Sequence, residues 1–470
     1  MTTLVVEAPA GYEAERRYVL DVVLADWLGL DYRLETQPGR EVRLRLDGEP
    51  PGPAVAVPDV LFATPERDWL TAASLPVTPL AEGVAVAPAA GERLPVLYGE
   101  GARTGERLLE AGEVGRRQVR LRVDVFGSAF FMLTRYEELV VPDRGAHDRF
   151  PAGASVAARE GFLETPLVDA YVELLWSALA AVWPRLRRRP RAFEVALTHD
   201  VDDPLARLGR GPALIARQFA GDLALRKDPL LAVRRARSLV AARRGDRRLD
   251  PHNTFDFMMD VSERNGLRSA FYFLASPRVD AGEGAYYVVE HPWIRRLIGH
   301  VHRRGHEVGL HPGFGTYRDA GRTAEQFARL RAVADAEGVV QERWGGRQHF
   351  LQWANPVTWR NWSGAGLDYD CTLAYAEAVG FRTGTCHPYR AFDLEHRRAL
   401  DLQERPFQVM DVTLFAYMGL SREQARAKVS DIARECRRYQ GCLGILWHNN
   451  EVLRTAREHR FYASMVDGLA

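Results

Sequence analysis

The chain is poor in cysteine, in net charge and in long apolar runs, and each shortage removes a class of function. Its four cysteines, Cys371, Cys386, Cys436 and Cys442, include no closely spaced pair. That excludes a zinc knuckle or a C-x-x-C redox motif and points to a reducing compartment. With 63 Lys and Arg against 62 Asp and Glu, the formal net charge is +1, so nothing global argues for nucleic acid or a membrane surface as partner. No uninterrupted apolar run reaches the roughly twenty residues that a membrane-spanning helix needs. The opening MTTLVVEAPAGYEAERRYVL lacks a basic start followed by a continuous apolar core, so no signal peptide is expected and the protein reads as cytoplasmic.

What is there fits an ordinary globular protein, 46% hydrophobic and 27% charged over 470 residues, a length that predicts two or three domains. The boundary lies at WPRLRRRPRAF, Trp183 to Phe193, where five arginines and two prolines interrupt two apolar segments. Proline and like-charge repulsion both disfavour a packed element there. This predicts an N-terminal domain over 1–183, a linker over 184–192 and a second domain over 193–470. A nucleic-acid patch is the sharper alternative for the arginines, but so short a stretch without interleaved aromatics does not favour it.

Before the linker, short β-rich runs (TLVVEAP, REVRLRLDG, AVAVPDVLFA, RLPVLYG, VRLRVDVFG) alternate with helical patterns at FFMLTRYEEL and from Leu167 to Val182. The pattern predicts an α+β domain. Its role is open, since it carries no internal repeat, phosphate-binding loop or dinucleotide fingerprint. After the linker the rhythm becomes strand, helix, strand, with candidate strands at FEVALTHDVD, RSAFYFLA, HEVGLH, GRQHFL, DYDCTLAY, FRTGT, FQVMDVTLF and CLGILWHN. Such alternation predicts an α/β fold with parallel strands and a closed or partly closed barrel. A basic helical insertion at about 205–250, including LLAVRRARSLVAARRGDRR, reads as a solvated helix covering the barrel mouth. The alternative is a surface for anionic lipid, a peripheral membrane contact, or a pyrophosphate-bearing substrate.

Several candidate strands end in polar residues: Asp200 and Asp202, His311, His349, Asp411 and His448. In parallel α/β folds the C-terminal strand ends converge on one mouth. In LTHDVDDP, strand alternation points Asp200 and Asp202 one way and His199 and Val201 the other. Two carboxylates in one site repel unless a cation or a raised pKa relieves them, so the cluster reads as metal-binding or acid/base machinery. The plainer alternative is an acidic surface turn. In GHEVGLHPGF the odd-numbered spacing of His306 and His311 leaves only one facing that mouth; His311 is the better candidate, and His306 reads as a structural histidine in a hydrogen-bonded pair.

The order of LTHDVD, GHEVGLHP, GGRQHFL, MDVTL and ILWHN resembles the polysaccharide deacetylases of the NodB-homology group, carbohydrate esterase family 4, over about Phe193 to Glu451. The whole chain also looks like bacterial proteins that join this domain to an uncharacterised N-terminal domain in surface-polysaccharide biosynthesis. The resemblance implies a distorted (β/α) barrel and hydrolysis of N- or O-acetyl groups on sugars with a divalent metal, commonly zinc. By position it makes Asp200 the catalytic base, Asp202 and His311 metal ligands, Arg347 the residue that orients the base, His448 the acid that protonates the leaving amine, and Asp411 the group that orients His448. One departure is plain: the family's second metal histidine, four residues after the first, is Gly315 here. A catalytic zinc usually keeps three protein ligands. His349 is the expected replacement, with His199 and Asp203 as weaker candidates.

The function expected is a metal-dependent carbohydrate deacetylase acting on a sugar or glycan precursor, nucleotide- or lipid-linked. The alternative, motivated by Gly315, is a silent carbohydrate-binding or scaffold protein on the same barrel; a second alternative is hydrolysis of a non-sugar amide. Trp344, Trp353, Trp359, Trp362, Tyr375, Tyr389 and Trp447 are expected to be mostly core, with one or two at most stacking on a sugar.

Overall fold

The structure, a computed structural model, describes residues 3–49, 52–85, 91–99, 106–111, 117–206, 246–450 and 455–469, with a few scattered positions between 207 and 245. The chain divides into two compact units. The first comprises Met1–Glu194 with Gly380–Pro406 and Arg434–Cys442; the second comprises Val195–Val379, Phe407–Ala433 and Leu443–Ala470.

In the first unit a mixed six-stranded sheet is built from β1 (Leu4–Ala8), β2 (Tyr32–Thr36), β3 (Glu41–Leu46), β4 (Ala54–Pro58), β7 (Leu109–Ala111) and β8 (Gln118–Leu121), in the order β2-β1-β3-β4-β8-β7, with β5 (Ala81–Val84) and β6 (Arg93–Val96) as a separate pair. In β3 the alternation of EVRLRL buries Val42, Leu44 and Leu46 while its arginines face outward, as a sheet with one packed face requires. Helix Leu167–Val182, whose apolar pattern is nearly continuous, packs on β4 and β8. The FFMLTRYEEL pattern becomes two helices, Val125–Leu133 and Tyr136–Val140, separated at Arg135, where φ is 52°. Asp124 caps the first by accepting from the Gly127 N–H at 2.7 Å, which satisfies one of the orphan donors of its first turn. The Arg135 guanidinium, fully buried, bonds Glu137 and Glu138, and Arg382 also donates to Glu138.

The second unit opens with β9 (Glu194–Val201), β10 (Ala270–Leu274), β11 (Glu307–His311), β12 (Gly345–Gly346) and β13 (Tyr369–Asp370), each paired in parallel with the next. The chain then contributes the hairpin β14 (Tyr389–Asp393) and β15 (Arg398–Glu404) to the first unit, and returns for the parallel pair β16 (Val409–Met410) and β17 (Cys442–Leu446). With β17 beside β9, the strands of this unit run in the order β13-β12-β11-β10-β9-β17-β16. Crossover helices such as Phe255–Arg264, Pro292–Arg303 and Ala320–Ala336 connect the strands, the arrangement parallel pairing demands.

The α/β class and the parallel rhythm are therefore present, but among the described residues no pairing joins β13 to β16, so of the expected closed or partly closed barrel the closed form is not shown. Strands β12, β13 and β16 are each only two residues long. Two expected strands also fail: RQHFL after β12 is a tight turn around His349–Leu351 rather than a strand, and FRTGT is turn and loop. In the first, Phe350 and Leu351 hold φ of 58° and 54°, a left-handed conformation that breaks an extended strand. The basic insertion falls almost entirely outside the described residues. No helix among the described residues is long and apolar enough to cross a membrane.

Candidate active site

At the C-terminal end of β9, Asp200 and Asp202 lie two residues apart and converge on one imidazole: His311 Nε2 is 3.0 Å from Asp202 Oδ1 and 3.9 Å from Asp200 Oδ2. The alternation argument required this shared side. His311 ends β11, and its Nδ1 lies 2.6 Å from the carbonyl oxygen of Arg347. A hydrogen bond there makes Nδ1 the donor and presents Nε2 to the carboxylates, the orientation metal-bound histidines usually show. Burial opposes a charge on His311, yet the Asp200 and Asp202 carboxylates outweigh it and raise its pKa.

His349 reaches the same place from the turn after β12, its Nε2 3.7 Å from Asp202 Oδ1 and its ring 4.9 Å from that of His311. Asp202, His311 and His349 each offer a ligand atom, all within 4.8 Å of one another. Burial pushes the His349 pKa down to about 4, so its ring stays neutral and can coordinate. Asp202 is moved below the usual carboxylate range because the His349 and His311 imidazoles outweigh its burial. Asp202 Oδ1 sits between the two imidazoles, 3.0 Å from His311 Nε2 and 3.7 Å from His349 Nε2, while His349 Nδ1 is buried with no hydrogen-bond partner among the described residues. One carboxylate oxygen facing two imidazole nitrogens is a donor set that a divalent cation can take.

Arg347, fully buried, holds the other carboxylate: Nη1 donates to Asp200 Oδ1 at 2.8 Å, Nη2 to Thr198 Oγ1 at 2.9 Å and Nε to the Cys371 carbonyl at 2.8 Å. Its guanidinium lies 4.3 Å from the Phe407 ring centroid and 5.2 Å from that of Tyr272. Three bonds and two aromatic faces fix the guanidinium, which holds Asp200 by Oδ1 while Oδ2 lies 3.9 Å from His311 Nε2.

Just past the end of β17, His448 Nδ1 lies 2.8 Å from Asp411 Oδ1, and the His448 backbone N–H donates to Asp411 Oδ2 at 2.7 Å. His448 Nε2 is left 3.6 Å from Asp202 Oδ2. Burial alone would lower the His448 pKa; the Asp411 carboxylate, with Asp202 and Asp200, overrides it and raises it to about 10.

All seven residues singled out in the sequence thus meet at one end of this sheet. The weaker ligand candidates do not join them. His199 points away, its Nδ1 2.8 Å from the Trp447 carbonyl oxygen and its ring 4.6 Å from that of Phe271. Asp203 faces His252 instead, Oδ2 to Nδ1 at 3.2 Å. His306 pairs with Glu263 and the Ser269 N–H. Two participants went unremarked in the sequence, Thr198 and the Cys371 carbonyl, both of which fix Arg347; a hydroxyl two residues before Asp200 on an alternating strand was the available signal. All seven Trp and Tyr residues considered as sugar platforms are buried, so none presents an open face.

Residues 4–184 match a family described as "Family of unknown function (DUF7033)". No curated protein matches the chain in sequence. Similar solved structures include one named for a polysaccharide deacetylase from Mycobacterium smegmatis, at 17% identity and TM-score 0.37 over 59% of this chain and 85% of that one. Another is the Xyl-CE4 domain of a multidomain xylanase from the hindgut metagenome of Trinervitermes trinervoides, at 10% identity and TM-score 0.30 over 60% and 83%. A third is Puue allantoinase, at 12% identity and TM-score 0.36 over 60% and 87%. At such scores none of them decides the fold or the chemistry.

Proposed function

We propose that the chain is a metal-dependent carbohydrate deacetylase that removes an acetyl group, an N-acetyl by preference, from a sugar. The observation that carries this reading is the meeting of three metal donors, Asp202, His311 and His349, with an arginine-held carboxylate, Asp200, 3.9 Å from His311 and a carboxylate-held histidine, His448, 3.6 Å from Asp202. Two imidazoles and one carboxylate suit zinc with an open coordination position. A divalent metal bound there would supply Lewis acidity toward the acetyl carbonyl and a more acidic water.

The chain's own groups divide the remaining work. Asp200, fixed by Arg347, accepts the proton of the attacking water through its second oxygen. His448, held protonated by Asp411, donates to the departing amine nitrogen. A base and an acid both beside the metal donors are what amide cleavage requires and what a binding protein does not. The sequence motifs that carry these residues support the acetylated sugar as substrate, in the order and at the strand ends where the polysaccharide deacetylases write them.

The test is metal content by elemental mass spectrometry of the purified chain beside Asp202→Ala and His349→Ala, followed by acetate release from N-acetylated sugars. Near-stoichiometric metal in the parent, lost in both variants, is expected, with acetate release only from the parent. A chain that takes up no zinc, nickel or cobalt even in excess overturns the hydrolase reading and favours a silent carbohydrate-binding protein. Metal retained without acetate release favours a different amide as substrate.

A further inference from the structure

His349 stands in a position that needs support. A histidine that binds a metal is normally oriented by a hydrogen bond from its other ring nitrogen, as Arg347 O provides for His311. Among the described residues the Nδ1 of His349 has no such partner. The turn that carries it is strained, with Phe350 and Leu351 both at positive φ, a left-handed backbone state that bulky residues rarely adopt. Its ring orientation must therefore be set by packing.

The packing partner is a small closed loop between β10 and helix Pro292–Arg303. Asp280 and Ala285 bond each other through both backbone N–H groups, at 2.7 and 2.8 Å. Inside, Asp280 Oδ1 accepts from the N–H groups of Gly282 and Glu283. Gly284 sits in this ring at φ 75° and ψ 8°. A Cβ on Gly284 would lie 2.8 Å from His349 Cε1, 3.3 Å from His349 Nε2 and 3.5 Å from Phe350 Cε2. On its own side of the turn, the imidazole meets the Phe350 ring at 4.3 Å between centroids.

We propose that Gly284 is a positioning residue for the metal site, the wall against which the His349 imidazole is set beside Asp202 and His311. The inference rests on the reading of His349 as the third ligand. Glycine is required twice over, by the left-handed backbone and by the contact. Any side chain there drives the ring back from 2.8 Å toward the 3.4 Å of an ordinary contact. That retreat exceeds the tolerance of about 0.5 Å within which a ligand remains productive.

The experiment uses the full chain stripped of metal and titrated with zinc, and separately with cobalt(II), whose visible absorption reports the ligand set without any turnover. Gly284→Ala is compared with His349→Ala and with Gly266→Ala, a control at φ 66° whose Cβ would meet nothing within 4 Å. The control carries the same backbone strain without the contact. Gly284→Ala should weaken zinc binding by about ten- to a hundredfold and alter the cobalt spectrum, while Gly266→Ala leaves both unchanged and lowers thermal stability comparably. Should Gly284→Ala fail to fold, Asp280→Ala loosens the same loop without adding a side chain, and a tenfold loss of zinc affinity is expected there. Metal lost in His349→Ala but bound normally by Gly284→Ala, or by Asp280→Ala in its place, overturns the positioning role alone. Metal bound normally by His349→Ala overturns the ligand reading and this inference with it.

Discussion

His448 carries its proton chiefly because of Asp411, with Asp202 and Asp200 adding to the effect. Burial works against a charged imidazole, and Asp411, bonded to both its ring and its backbone N–H, reverses that and sets its pKa to about 10. Asparagine at 411 keeps the shape and removes the largest raising influence, so the pKa falls even though Asp202 and Asp200 remain. Asp411→Asn should therefore lower the rate by about a hundred- to a thousandfold and move the alkaline limb of the pH–rate profile to lower pH. An unmoved limb would show that another group supplies the proton. Asp200 and Arg347 make the complementary case: the pair was visible as two motifs, but that one guanidinium would also bridge Thr198 and Cys371 depended on β9, β12 and β13 lying within reach of a single side chain.

At the scale of elements, the site depends on how closely β11 and β12 approach. A Cβ on Gly346 would lie 1.8 Å from the Leu310 carbonyl oxygen, a backbone atom that cannot retreat. That close approach delivers Arg347 and His349 to the end of β11, where the Arg347 N–H donates to Leu310 O and His311 bonds Arg347 O. Gly346→Ala should cost about 3 kcal/mol or more, above the usual range for overpacking, measured by denaturant unfolding; a change under 1 kcal/mol would mean the strands can part cheaply. Strand alternation correctly placed Asp200 and Asp202 on one side, because period two is a local property. The same rule extended GRQHFL too far, since two left-handed residues, Phe350 and Leu351, break the strand for reasons that hydrophobic pattern does not record.

At the scale of the whole molecule, stability should follow the titration of Asp370, fully buried at the end of β13. Its Oδ1 accepts from the Thr372 N–H and hydroxyl while Oδ2 has no partner among the described residues. Burial, only partly offset by these donors and by Arg347, raises its pKa from 3.8 to about 7. Between those values the folded chain holds a proton that the unfolded chain has released, so this contribution is fully present below pH 3.8 and is lost as pH rises through about 7. Asp370→Asn should flatten the dependence and leave the variant more stable than the parent above pH 7, by a few kcal/mol, in melts run across pH 4–9. Parallel pH curves for the two proteins would show that Asp370 ionises without cost.

What the sequence determined by itself were local and compositional properties: the α/β rhythm, the side each strand residue faces, and the polar residues that close strands β9, β11 and β17. Each follows from backbone periodicity and from the price of burying charge, which neighbouring residues already set. Only the tertiary structure decided that the sheet order stays open between β13 and β16 among the described residues, that segments 380–406 and 434–442 cluster with the first unit, and that His349 stands with Asp202 and His311 where His199 and Asp203 do not. Those outcomes turn on register, on the closeness of strands and on left-handed turns, which arise only when segments distant in the chain pack together.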